Sequence, residues 1–216
     1  MSDSSNRTAP LWTKEDFADA SNVPHGTLSD YAHWYGLLRK WNARINLVAP
    51  KEIDQFWRRH AYDSWQLIAH LPKKWSQLVD LGSGGGFPGL SFGILAKQNG
   101  AGEVHLVESV GKKTSFLKTV ARDLKLPVTV HTDRVENLMP LNADVLTARA
   151  FAPLPRLFGY AHPHLAEGAT LLLPKGETAD KEIESAQQGW HFAHESFKSE
   201  TDSAAAILRI TDLRPK

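Results

Sequence analysis

Cysteine is absent from this chain of 216 residues, which excludes a disulfide framework and thiolate metal sites. No run of about 18 apolar residues appears, and MSDSSNRTAP at the start lacks the apolar stretch of a secretory signal. The reading is therefore a cytoplasmic protein with no membrane contact. Charge of one sign is also missing: 25 Lys+Arg stand against 24 Asp+Glu, so no global field advertises a nucleic-acid partner and any basic surface must be local. There is no nucleophile elbow and no internal repeat. His162 with His164, and His191 with His194, lack a cysteine or a carboxylate pair beside them and read as loop or strand-surface residues, so no metal is expected. Nor does any segment point to an obligate protein partner.

What is present centres on LVDLGSGGGFPGL, residues 78–90. A short apolar run leads through Asp80 into a glycine-rich turn, and Pro88 opens a helix. Glycine permits φ > 0 and lets a ligand approach main-chain N–H groups, while proline in a first helical turn forfeits only an N–H that is unpaired anyway. The order is D-x-G-x-G-x-G, with Phe87 where a dinucleotide fingerprint of the form G-x-G-x-x-G needs its last glycine. This favours S-adenosylmethionine over NAD, since its ammonium group profits from an acid such as Asp80, beside Gly82 and Gly84. Without cysteine, the thiol nucleophile used to methylate a pyrimidine at C5 is also missing.

Around that turn the chain reads as alternating strands and helices. Residues 1–27 are polar and small at the start and are expected to be irregular or disordered. Leu28, Tyr31, Trp34, Leu38, Trp41 and Ile45 recur at three and four and mark an amphipathic helix; a second follows Pro50 and ends at Leu71-Pro72. Five of the seven tryptophans lie in 28–75, which reads as a helical cap packed on a sheet. Two polar clusters interrupt it, Lys40 and Asn42 with Asn46, and Arg58, Arg59 and His60 with Asp63. They suit phosphate contact, or a solvated face on which Asp63 caps His60. The core domain, 76–216, continues with a helix over 88–97, whose Gly89 and Gly93 imply close packing on the sheet. A strand over 103–108 follows. It is closed by Glu108, placed to accept hydrogen bonds from both ribose hydroxyls of an adenosine. Next come a helix over 112–124 starting Lys112-Lys113, a strand over 127–131, a rim turn holding Val135-Glu136, strands over 144–149 and 169–174, a helix over 180–188, and strands over 191–198 and 205–211. Cap and core are expected to form one compact unit. Where amino-group methyltransferases carry Asn/Asp-Pro-Pro-aromatic, this chain has Arg149-Ala150-Phe151, which disfavours that chemistry.

Seven motifs in order resemble the RsmG family, formerly glucose-inhibited division protein B: K-W-N-x-x-I-N-L at 40–47, R-H-x-x-D-S at 59–64, D-x-G-S-G-G-G-F-P-G at 80–89, S-x-G-K-K at 109–113, R-V-E at 134–136, R-A-F at 149–151 and K-G at 175–176. The resemblance implies an α/β fold of the class I, Rossmann-like type, with a mostly parallel seven-stranded sheet, helices on both faces and an N-terminal helical cap. It implies an enzyme that methylates guanine N7 in a conserved loop of 16S rRNA near the decoding region, with S-adenosyl-L-methionine as donor and S-adenosyl-L-homocysteine as product. Gly82, Phe87, Val135, Glu136 and Arg149 would then hold the donor together with Asp80, Gly84 and Glu108. Asn42, Asn46, Arg58, Arg59, His60, Lys112, Lys113 and Lys175 are candidates to face the RNA. Arg149 is expected to orient rather than to move a proton, because N7 attack needs no general base. The alternatives are a small-molecule methyltransferase on the same fold and an NAD-dependent dehydrogenase.

Overall fold

The computed structural model describes residues 11–216; the disordered tail expected over 1–10 lies outside them. Within the stretch expected to be irregular, Thr13 caps α1 (Lys14–Ser21) through a reciprocal capping box with Asp16, and Phe17 is fully buried. The T-x-x-D spacing was the available signal. Helix α2 (His25–Asn42) begins after Pro24 and buries Tyr31, Trp34 and Leu38, the residues its periodicity selects.

The single helix expected after Pro50 is not one helix. A short α3 (Pro50–Ile53) gives way to a π-helical segment (Phe56–Tyr62), a turn of α-helix, α4 (Asp63–Trp65), and a 3-10 segment (Gln66–His70). The i→i+5 winding is in keeping with Phe56, Trp57, His60 and Ala61 all turning inward.

Beyond the cap come β1 (Gln77–Leu81), α5 (Gly89–Asn99), β2 (Glu103–Val107), α6 (Gly111–Asp123), β3 (Val128–His131), β4 (Ala143–Thr147), α7 (Leu154–Ala161), β5 (Leu165–Lys175), α8 (Ala179–Ala186), β6 (Trp190–Lys198) and β7 (Ala206–Pro215). They build a seven-stranded sheet in the order β3-β2-β1-β4-β5-β7-β6. Strands β1 to β5 run parallel, and β7 pairs antiparallel with both β5 and β6. The inner strands are buried on both faces, which is why Leu78, Val79 and Leu81 are all apolar with only Asp80 between them.

Consecutive connections leave β1 in one direction and resume on its other side at β4, so the sheet reverses between them. Ligands of open α/β sheets bind outside the carboxyl ends of the strands at such a reversal. The glycine turn after β1 and Arg149 after β4 both lie there. On one face, cap residues Phe17, Trp34 and Phe56 join Phe92, Leu106 and Phe116 in a single hydrophobic cluster; on the other, Val79, Leu146, Leu154, Phe158 and Ile210 form a second. Removing a fully buried aromatic such as Trp34 costs on the order of 3–5 kcal/mol. The close approach expected of α5 is present: a Cβ on Gly89 would lie 2.3 Å from Leu106 Cδ2, and one on Gly93 2.7 Å from Val128 Cγ2. Helix α7, an element beyond those expected, carries its own periodicity: Leu154, Leu157, Phe158 and Ala161 are buried and spaced three and four apart after Pro153.

Candidate active site

Two cavities open at the reversal point. The smaller, about 350 Å³, is lined by Gly82, Glu108, Ser109, Asp133, Arg134, Val135, Glu136, Arg156 and Tyr160 among others. The larger, about 660 Å³, lies under the cap and is lined by Arg59, His60, Asp63, Arg149, Lys175 and Thr201 among others. Ala150, Phe151 and Ala152 line both. Phe151 therefore stands as the wall between them.

The glycine turn positions the smaller cavity. Gly82 takes φ +70° and Gly84 φ +54°, conformations that side-chain-bearing residues rarely adopt. Gly84 N–H donates to Glu108 Oε2 at 3.0 Å and Val110 N–H to Oε1 at 2.8 Å, which fixes the carboxylate at the end of β2 while leaving lone pairs on each oxygen. Val135 and Glu136 face it from a 3-10 turn (Val135–Asn137). The space over Gly82 is not open as the sequence suggested: a Cβ there would meet Phe151 Cδ2 at 2.4 Å, so the ring rests on the turn. Gly84 itself lines neither cavity.

Asp80 also lies outside both cavities. It is fully buried beneath the turn, where Oδ2 accepts Gly89 N–H at 3.2 Å and Oδ1 has no partner. Burial pushes its carboxyl up to about 7, against the hydrogen bond from Gly89 and the charge of Arg149; the Ser83 hydroxyl donates to the Asp80 main-chain carbonyl at 3.1 Å. An orphaned buried carboxylate oxygen under a glycine cradle, with a fixed glutamate beyond it, fits a nucleoside that carries a cationic amino-acid arm.

The larger cavity is organised by Arg149. Its Nη1 donates to the Arg59 carbonyl at 3.2 Å and lies 3.5 Å from Asp63 Oδ2, its Nη2 lies 3.2 Å from His60 Nδ1, and its guanidinium sits 5.0 Å from the centre of the Phe87 ring. Phe87 was expected to touch a donor, yet it is buried and lines neither cavity. Its ring stacks on Trp34 at 4.5 Å and on His60 at 4.6 Å, forming the floor on which His60 and Arg149 rest. Asp63 does not cap His60. Its Oδ1 accepts from Thr201 Oγ1 at 2.6 Å and from Gln66 Nε2 at 3.0 Å, tying the cap to the loop between β6 and β7. Burial, reinforced by the charges of Arg149 and Arg59, drives His60 down to about 3, so it is neutral.

The RNA-facing candidates divide. Asn42 is buried, its Oδ1 accepting from Leu47 and Val48 N–H and its Nδ2 donating to the Val48 carbonyl; it shapes the loop and has no side-chain atom to spare. His60, neutral and only 4% exposed, is no phosphate contact. Lys175 is tied to Glu182 at 2.8 Å and to the Ala152 carbonyl at 3.1 Å on the cavity wall. Burial works to raise the Glu182 carboxyl, but Lys175 and the Leu154 N–H hold it low. Asn46, Arg59 and Lys112 are exposed, and Arg58 and Lys113 half-buried. His164 is buried rather than superficial. Phe151, Thr201 and the rim pair Arg156–Tyr160 have no site role assigned from the sequence; Phe151 stands inside the R-A-F motif and Arg156 and Tyr160 share an i,i+4 spacing on α7, whereas Thr201, the partner of Asp63, carries no signal.

A doubly wound sheet with a glycine turn after β1, an acid after β2 and a two-part crevice at the reversal defines a class I methyltransferase fold. Solved structures share it: a SAM-dependent methyltransferase from Aquifex aeolicus matches with TM-score 0.56 at 14% identity over 81% of this chain and 97% of that one. TYW2 from M. jannaschii in complex with AdoMet gives 0.54 at 12% over 81% and 80%. The model for rRNA small subunit methyltransferase G matches residues 27–207, and this chain belongs to that family. Ribosomal RNA small subunit methyltransferase G of Rhodospirillum centenum is 45% identical over 96% of this chain and 94% of its own length; that of Hyphomonas neptunium is 44% identical over 91% and 93%. Membership removes the dehydrogenase reading. No described helix is long and apolar enough to cross a membrane.

Proposed function

We propose that this chain transfers a methyl group from S-adenosyl-L-methionine to N7 of a guanine in 16S rRNA, within the small ribosomal subunit. The observation that carries the reading is the pair of cavities meeting at one wall. The smaller suits a nucleoside, and the larger suits a base edge: it sets Arg59, Arg149 and Lys175 among Glu52, Asp63, Glu182 and Asp202, a hydrogen-bonding mixture rather than a cationic phosphate trap. The rRNA follows from the relatives, which are ribosomal RNA small subunit methyltransferases.

In this reading Glu108 holds the ribose, Val135 and Glu136 border the adenine, and Gly82 and Asp80 serve the amino-acid arm. When bound, the donor would supply an electrophilic methyl that the in-plane lone pair of guanine N7 could take, the C–S pair passing to sulfur and no proton leaving the base. The protein therefore needs no general base, in keeping with a His60 whose basicity burial has lowered and whose Nδ1 is taken by Arg149. Its contribution is proximity and orientation, worth several kcal/mol of the barrier. Arg149 orients the groups at the wall. N7 of a paired guanine faces a groove too deep and narrow for side chains, so the target lies in a loop or turns outward. Arg58, Arg59, Lys112 and Lys113 remain to meet phosphates.

Labelled methyl transfer into small subunits lacking the modification, followed by mapping of the modified atom, tests this. Label on guanine N7 of 16S rRNA is the expected result. Label on protein, on another base atom or only on small molecules refutes it.

A further inference from the structure

Among the described residues lining the larger cavity, His60 Nε2 is the one buried side-chain polar atom without a hydrogen-bond partner. The nearest acidic oxygen, Glu52 Oε2, is 4.0 Å away, beyond hydrogen-bonding distance.

The ring's protonation follows from its other neighbour. Arg149 Nη2 sits 3.2 Å from His60 Nδ1 and, as a guanidinium nitrogen, can only donate. Nδ1 must accept, so the single proton of the neutral imidazole resides on Nε2. Stacking on Phe87 holds the ring plane. The result is one N–H donor, fixed in direction, desolvated, and used by nothing in the protein. A buried donor of that kind is costly unless a ligand takes it.

The Hoogsteen edge of guanine offers two acceptors, N7 and O6, whereas adenine pairs its N7 with an N6 amino donor. A donor bonded to N7 would occupy the lone pair that must take the methyl. Resting on the function proposed above, we infer that His60 Nε2–H donates to O6 of the target guanine, and that this bond selects guanine over adenine. Adenine would set N–H against N–H and leave both unpaired inside the cavity.

Small subunits reconstituted with guanine or with 2-aminopurine at the mapped position, the latter keeping N7 and lacking O6, separate this role from a structural one. His60→Phe retains a ring against Phe87 and removes the donor; His60→Gln returns an amide N–H near the Nε2 position. His60→Phe should lower kcat/KM on guanine by about ten- to a hundredfold, the range for stranding one buried polar group. His60→Gln should recover most of that, with donor affinity by calorimetry unchanged in both. Wild-type protein should lose the same factor on 2-aminopurine, and His60→Phe should lose nothing further there. Equal proportional losses on both bases would overturn the proposal, as would full wild-type activity on 2-aminopurine, a measurement that stands even where a variant does not fold. Wild-type label mapped away from guanine N7 would instead sink the functional reading beneath it, a result distinct from either.

Discussion

Asp80→Asn should make the protein more stable at alkaline pH while weakening its hold on the methyl donor. The Asp80 carboxyl ionises near pH 7 in the fold because it is buried, against an ordinary value of 3.8. A group whose pKa is raised on folding contributes stability below its unfolded pKa and loses it as pH rises through the folded one. Between pH 5 and pH 8 the native state gives up almost a full proton that the unfolded chain has already lost. Integrated over that window, Asp80 costs the fold about 2–3 kcal/mol. Asparagine keeps an acceptor for Gly89 N–H and does not titrate. Urea unfolding of both proteins at several pH values isolates the effect, because the other titrating groups cancel in the difference. The wild type should fall relative to Asp80→Asn by that amount from pH 5 to pH 8. Saturating S-adenosylmethionine should restore the wild type most at pH 8, where the carboxylate meets the ammonium without first losing a proton, and should restore the variant less and without pH dependence. A stability difference flat across pH 5–8 would refute the reasoning, since it would mean Asp80 is ionised or solvated throughout.

Three further outcomes follow from the geometry. Phe151→Ala, which frees the turn at Gly82, should tighten donor binding roughly several-fold in calorimetry by removing a competing conformation, while methyl transfer falls; weakened binding would mean the ring is part of the donor site. Asp63→Asn removes a counter-charge from Arg149 and should lower kcat by about tenfold with donor affinity unchanged. Its effect should be non-additive with Thr201→Val by about 0.5–3 kcal/mol in a double-mutant cycle, and simple additivity would break the proposed link. Ala150 holds φ +51°, a left-handed conformation, so Ala150→Gly should relieve up to about 1 kcal/mol of strain and raise Tm by ~2–4 °C. A lowered Tm would show that the gain in unfolded-chain entropy outweighs it.

The legible parts of this protein share one property: their signal is local. The alternation of apolar strands with helices of three-and-four spacing announced the sheet, and the glycines after Asp80 and the acid at Glu108 announced a turn with φ > 0 and a carboxylate at the end of β2, because each is a requirement met within a few residues. The T-x-x-D cap of α1 and the α7 periodicity are equally local signals. Asn42 and His60 failed as phosphate contacts for a different reason. A polar side chain in a helical pattern looks the same from the sequence whether it meets water or, like Asn42, turns back on a loop, or, like His60, is pressed between an aromatic ring and an arginine.

The chain's order of residues thus determined the class of fold, the turn and the acid beside it, since backbone conformation and hydrophobic period are written residue by residue. Tertiary structure alone decided that Phe151 would divide the crevice, that Asp63 would be bound by a hydroxyl 138 positions away, and which nitrogen of His60 would keep its proton. Those depend on groups brought together by packing of the cap and the β6–β7 loop over the sheet, and no spacing along the chain records them.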